Sequence, residues 1–256
     1  RGFFWAHMGW IFFKLYPRAL ANVGDLKKDP LVMWQHKHHQ LIGFTVGMVL
    51  PTIIGFLYGG WSAALGAFLI SGVTRLVCVQ HCTFLINSLC HTIGNQPYDS
   101  STSARDSWLM AIPTFGEGYH NYHHSFQHDY RNGVKPWQWD PTKWAIWTLS
   151  KLGLVSDLRR VPEEKIVLAE LREMKGQAEA QIASGNSWKI MCPTRQDVYD
   201  TFLELSQQLS DSYQELEKAV SGQIKVSREA LQRWRQISTE VGEQLSLMRS
   251  MQHAMA

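Results

Sequence analysis

The sequence predicts an all-α protein built as an integral membrane helical hairpin. It adds a cytoplasmic helical cap carrying a His-rich site and a C-terminal helical or coiled-coil extension. Three observations predict this. Residues 41–58 form an 18-residue run without charge, and residues 61–89 form a second apolar run interrupted by Arg75, Gln80 and His81. Ten of the 11 histidines and nine of the 11 tryptophans lie before residue 162. From Pro162 onward the chain is polar and helix-prone, with apolar residues spaced by four and three.

Composition narrows the classes. A chain of 256 residues with 45% hydrophobic content is too apolar for a disordered or fibrous protein. The mean hydropathy of −0.20 averages two unlike parts. Residues 1–161 carry 14 Lys and Arg against 8 Asp and Glu, whereas residues 162–256 carry 11 against 14. The positive charge is scattered around apolar runs rather than gathered in a stripe, which argues against a nucleic-acid binder. Cys78, Cys82 and Cys90 sit in or beside an apolar run without CxxC spacing, and Cys192 stands alone. They read as packing residues rather than a disulfide framework, consistent with a reducing compartment.

The elements follow in order. The chain opens Arg1-Gly2-Phe3-Phe4, without Met and without a signal-peptide pattern, which predicts a processed or truncated chain. Residues 3–16 are aromatic and too short to span a bilayer, so an interfacial helix is expected there. A spanning helix needs about 20 apolar residues to cross about 30 Å of hydrocarbon. Residues 41–58 just meet that limit even with Pro51, which membrane helices tolerate. Residues 61–89, at 1.5 Å per residue, reach about 43 Å and should project beyond the bilayer. Tyr58-Gly59-Gly60-Trp61 makes a short uncharged connection between them.

Lys14, Arg18, Lys27, Lys28 and Lys37 precede the hairpin; Arg105, Arg131, Lys135, Lys143, Lys151, Arg159 and Arg160 follow it. The tip carries no charge, so both flanks and both termini are expected in the cytoplasm. Arg75 should reach the cytoplasmic boundary and snorkel or pair. Residues 90–161 then form the cap, with Trp144–Leu154 as a second interfacial segment. In the extension, Val198, Phe202, Leu205, Leu209, Tyr213, Leu216 and Val220 repeat in heptads. Leu231, Trp234, Ile237, Val241, Leu245 and Met248 continue the pattern. That suits a helical hairpin or coiled coil, or a face packed on the same chain.

Glu117-Gly118-Tyr119-His120-Asn121-Tyr122-His123-His124 carries the chemistry. On a helix, His120 lies three residues from His123 and four from His124, so the imidazoles can converge on one side. Imidazole suits iron, zinc or copper. Asn87 and His91, four apart at the projecting end of the second helix, form a further polar pair, with Thr83 one turn behind. His36, His38 and His39 read as a cytoplasmic interfacial cluster. His7, His81 and His128 each stand alone and read as structural.

Together EGYHNYHH, the upstream NSLCH, QPYD at 96–99 and the opening RGFFWAHMGW resemble the membrane fatty-acid desaturases. The nearest branch is the acyl-CoA Δ9 (stearoyl-CoA) type with its bacterial relatives. The resemblance covers residues 1–161, taken as a partial desaturase domain, and leaves 162–256 as an extension of the kind some bacterial members carry. It implies a non-haem di-iron centre, O2 as co-substrate, and a cis double bond as product. It implies His120, His123 and His124 as the third histidine box, His91 as an additional ligand, and Asn87 as a ligand through water. Thr83 and Phe84 fall at the bend of the acyl tunnel, and Lys14 at the head-group phosphates. Animal members carry a second basic residue where Phe13 stands, so CoA, acyl carrier protein and glycerolipid head groups stay open. Electrons would come from ferredoxin or a cytochrome b5-like donor, and the location would be a bacterial inner membrane.

The family's first two boxes, HxxxxH and HxxHH, are not in the sequence and are expected upstream of Arg1. This chain would then hold about half the ligands and be inactive alone. Alternatives are an acyl-lipid desaturase or fatty-acyl hydroxylase on the same scaffold, a non-catalytic membrane metal- or haem-binding protein, or a structural or partner-binding role led by the helical tail, through which the chain could also self-associate.

Overall fold

A computed structural model describes residues 2–13, 23–183, 196–222 and 226–253. Among them the regular structure is helical, with two isolated β-bridges in place of any sheet. The chain divides into two units, residues 1–89 and 90–256. The compositional change at residue 162 lies inside the second.

In the first unit, α1 (Gly2–His7) ends in a short 3-10 turn, Gly9–Phe12. The interfacial helix expected over 3–16 is therefore broken at Met8, and residues 14–16 lie outside the described residues. One helical run then extends from Pro30 to His91. It comprises α2 (Pro30–Phe44), α3 (Leu50–Ala67) and α4 (Arg75–Ser88), joined by π-helical turns at Thr45–Val49 and Phe68–Thr74. The helix starts before Leu41, where the apolar run begins, because Asp29 caps it. Asp29 Oδ1 accepts the N–H groups of Leu31 and Val32 at 2.8 and 3.2 Å, and Pro30 occupies the first position. His36, His38 and His39 thus ride on α2 rather than ahead of the helix.

Gly59 and Gly60 fold the run back on itself. Gly60 has φ +68°, a conformation that glycine adopts without a Cβ penalty. The two arms pack through small residues. A Cβ at Gly55 would lie 2.6 Å from the Ala63 carbonyl oxygen, and one at Gly72 would lie 2.8 Å from Met48 Sδ. Such close approach is how helices associate where lipid removes the hydrophobic drive. Arg75 is exposed and pairs with backbone carbonyls of the hairpin. Its Nε donates to Ser71 O at 2.7 Å and its Nη2 to Gly47 O at 3.2 Å. Both acceptors lie in the π-helical turns. The most apolar 18-residue window has mean hydropathy 2.0 and no buried residue, so by length and composition the run can cross a membrane.

On α4, Thr83 and Asn87 are exposed and Phe84 is half-buried. Thr83 Oγ1 donates to Val79 O at 3.1 Å. Leu89–His91 tighten into a 3-10 turn, so the four-residue register expected for Asn87 and His91 stops at Ser88. His7 and His81 are not isolated: their ring nitrogens meet at 3.1 Å. Cys90 is buried as a packing residue, whereas Cys78 is exposed. Cys192 lies outside the described residues.

In the second unit, α5 (Trp108–Ala111), α6 (His120–Ser125) and α7 (Pro141–Lys151) form the cap. Its core gathers Ala111, Tyr119, Tyr122 and Ile166, with Tyr98, Phe126, Val134 and Val161 against it. Trp144 and Trp147 on α7 are exposed. The extension is α8 (Glu163–Ala183), α9 (Gln196–Val220) and α10 (Arg228–His253). Phe202, Leu209 and Leu216, seven apart, are fully buried against Leu171, Trp234, Val241 and Leu245. The heptad stripe is therefore covered within the chain, with α8 as the third helix.

Candidate metal centre

α6 has only six residues, too few to hold a helix unaided, so its surroundings must fix it. Asp106 Oδ1 accepts the Tyr122 N–H at 3.0 Å. Tyr122 Oη donates to Asp129 Oδ2 at 2.9 Å. Asp129 in turn holds Arg131 (Nη2 at 2.7 Å) and the Val161 N–H at 2.8 Å. Asn121 is fully buried and uses its whole amide: Oδ1 accepts from Tyr98 N–H and Asp99 N–H, and Nδ2 donates to Asp99 O and Ala104 O. Gly118 lets this entry lie against α5, since a Cβ there would sit 2.1 Å from Ala111 N.

Three of the expected residues come together on this scaffold. His120 Nε2 lies 3.1 Å from His91 Nε2 and 3.1 Å from His124 Nε2, and one ligand atom from each of the three lies within 4.8 Å of the others. His123 stands beside them: its ring stacks on His120 at 5.9 Å and meets His124 edge-on at 5.8 Å. It does not join the convergent three. Asn87, Thr83 and Phe84 belong to α4 in the first unit, and Lys14 lies outside the described residues.

The donor set fits a cation. A neutral imidazole nitrogen carries either one proton or one lone pair. His120 Nε2 can therefore satisfy one of its two 3.1 Å neighbours by a hydrogen bond, not both, whereas a metal ion accepts all three lone pairs. His120 Nδ1 is also buried without a hydrogen-bond partner. Burial pushes the His120 imidazole down to about 3, helped by His124, His91 and His123. Burial and then His123 lower His124 as well. Both stay in the neutral form that binds metals. Nitrogen donors of this kind suit iron, zinc or copper.

Sequence reasoning missed the residue that orients His91. Ser103 Oγ lies 2.9 Å from His91 Nδ1 and fixes the ring so that Nε2 faces the cluster. Nothing in Ser100-Ser101-Thr102-Ser103 marks one hydroxyl above its neighbours. Loss of such an outer partner typically costs 10–100-fold in metal affinity, so Ser103→Ala is expected to raise the metal dissociation constant about 10- to 100-fold, read by chelator competition.

A pH dependence follows for the metal-free protein. His120 falls from its ordinary 6.5 to about 3 in the fold, so the unfolded chain binds the extra proton. Stability from this group is intact above about 6.5 and is lost as the pH drops toward about 3, by at most about 1.4 kcal/mol per pH unit. Asp106 opposes it over part of that range, because burial pushes its carboxyl up to about 7. The His120 share is therefore the difference between wild type and His120→Ala. Denaturant titrations are expected to show wild type losing ground to the variant below about pH 6.5. A pH-independent difference would contradict this.

No family model matches the chain. Several curated proteins do. Acyl-CoA desaturase 1 of Saccharomyces cerevisiae is 40% identical over 176 residues, covering 68% of this chain and 34% of that protein. Stearoyl-CoA desaturase 5 of Bos taurus is 34% identical over 183 residues, covering 70% and 54%. Hex-5-enoyl-[acyl-carrier protein] acetylenase of Moorena producens is 34% identical over 171 residues, covering 66% and 53%. The chain spans between about a third and about half the length of these relatives.

Proposed function

Over about two thirds of its length the chain is a homologue of the acyl-CoA desaturases, and on that premise we propose that it serves a membrane fatty-acyl desaturase acting on long-chain acyl-CoA. The finer reading is a Δ9 enzyme giving a cis double bond. The observation that carries the desaturase reading is the convergence of His91, His120 and His124 through their Nε2 atoms.

In this reading, His91, His120, His123 and His124 would hold the irons, and Asn87 would reach one of them through water. The bound di-iron group would supply, with O2 and two external electrons, the oxidising power that an unactivated methylene demands and no side chain offers. The protein's own part is placement. Ser103 aims His91, and burial keeps His120 unprotonated as a ligand. Thr83 and Phe84 bend the acyl chain so that one pair of carbons faces the centre. Lys14 pairs with the head-group phosphates. The apolar hairpin sits in the bilayer, in a bacterial inner membrane with the cap in the cytoplasm. Ferredoxin or a cytochrome b5-like protein delivers the electrons.

The test is to express the complete reading frame in a host of defined lipid composition and locate double bonds by mass spectrometry, with metal analysis of the purified protein. New cis double bonds and bound iron are expected. Hydroxylated chains would shift the reading to a hydroxylase; zinc without iron, or haem absorbance, would end it.

A further inference from the structure

Two histidines outside the metal set meet in the first unit. His7 of α1 places Nε2 3.1 Å from His81 Nδ1 and Nδ1 2.9 Å from Ser88 Oγ, both on α4. His81, Phe84 and Ser88 are three and four residues apart, so they share one stripe of the helix, and His7 spans it. The two imidazoles stack on each other at 5.3 Å, and the Phe84 ring lies beside the pair, edge-on to His7 at 5.7 Å and edge-on to His81 at 5.7 Å. Phe3 stacks on His7 at 5.8 Å.

One proton arrangement satisfies the whole group. Ser88 Oγ donates to Phe84 O at 2.9 Å, so it accepts from His7 Nδ1–H. His7 Nε2 is then an acceptor, and His81 Nδ1–H donates to it. The chain runs His81 to His7 to Ser88 and ends on the carbonyl of Phe84. It terminates on the backbone of the residue whose ring both imidazoles meet edge-on, so it holds rather than conducts. Apolar contact alone lets a ring slide, whereas directional hydrogen bonds, half-buried at Ser88 and exposed at His81, restrain it.

We propose that His7, His81 and Ser88 form a polar bracket that fixes the ring of Phe84, making His7 and His81 positioning residues for the site of double-bond formation. The inference rests on the reading above, in which Phe84 lines the bend of the acyl tunnel. A bracket that loosens lets the bend drift, and neighbouring carbons then compete for oxidation.

Two measurements test it. In the full chain, 3-fluorophenylalanine at position 84 is expected to give two 19F resonances, or one broadened by slow ring flipping. His7→Leu and His81→Leu should merge them into a single sharp line. In the protein from the complete reading frame, the same variants should raise the fraction of products with displaced double bonds about tenfold. His81→Asn keeps a donor for His7 Nε2 and should retain the wild-type ratio. His81 is exposed, so its replacement spares the packing. An unchanged 19F spectrum in both leucine variants overturns the bracket. A changed spectrum with unchanged double-bond position and chain-length preference overturns its role in specificity. Wild-type protein that desaturates no acyl donor instead sinks the function reading, and the specificity role with it, whatever the fluorine spectrum shows.

Discussion

Replacing His120 with alanine is expected to strip the cluster of its metal and abolish oxidation, while leaving the helices in place. Both 3.1 Å contacts of the cluster run through His120 Nε2. Without it, His91 and His124 have no shared centre. Outer partners alone cost 10–100-fold in affinity, so loss of the central ligand should weaken binding by at least about a hundredfold. The fold has less to lose. The imidazole is 6% exposed and is held in an uncharged state that its burial enforces, so its removal trades packing against relief of that burden. Metal analysis, far-ultraviolet circular dichroism and product analysis are the readouts. Wild-type metal content in the variant would refute the triad. His123→Ala is the contrast: the metal at the triad is expected to stay and desaturation to vanish, because its ring stands apart from the three converging nitrogens.

Asn121→Leu should damage the site from behind. Its side chain satisfies two backbone N–H groups and two carbonyls between residues 98 and 104. Leucine fills similar space and offers none of these bonds. Orphaned backbone groups cost about 1–3 kcal/mol each, so a total loss of about 3 kcal/mol or more is expected by chemical denaturation. The same loop carries Ser103, so metal affinity should fall with stability. A variant that unfolds at the wild-type denaturant midpoint would show that the amide is dispensable.

These residues also mark what the sequence could disclose. His120 and His124 were legible because a four-residue spacing fixes a helical face. The hairpin was legible because hydrocarbon imposes length and charge rules, and Gly59-Gly60 supplied the turn. The early start of α2 was present in Asp29-Pro30, a capping signal weaker to the eye than the apolar run behind it. Asn121 and Ser103 were not legible, since their partners lie 12 to 23 residues away along an irregular loop. His7 and His81 are 74 residues apart, and only folding pairs them. In the extension, the seven-residue repeats announced α9 and α10. α8 was legible as a charged, helix-prone run over 163–182, but its place in the bundle through Val167, Leu171 and Ala178 was not.

That helix has a practical consequence. Ile166 completes the core behind Tyr122, while Val167 and Leu171 on the same helix belong to the bundle. Glu173 Oε2 also accepts the Ser100 N–H at 3.0 Å, next to the loop that aims His91. Trimming the protein at Pro162, where composition invites a cut, would pull a wedge from behind the histidines. A graft or shortened variant meant to keep the centre intact should be severed after Ala183 instead.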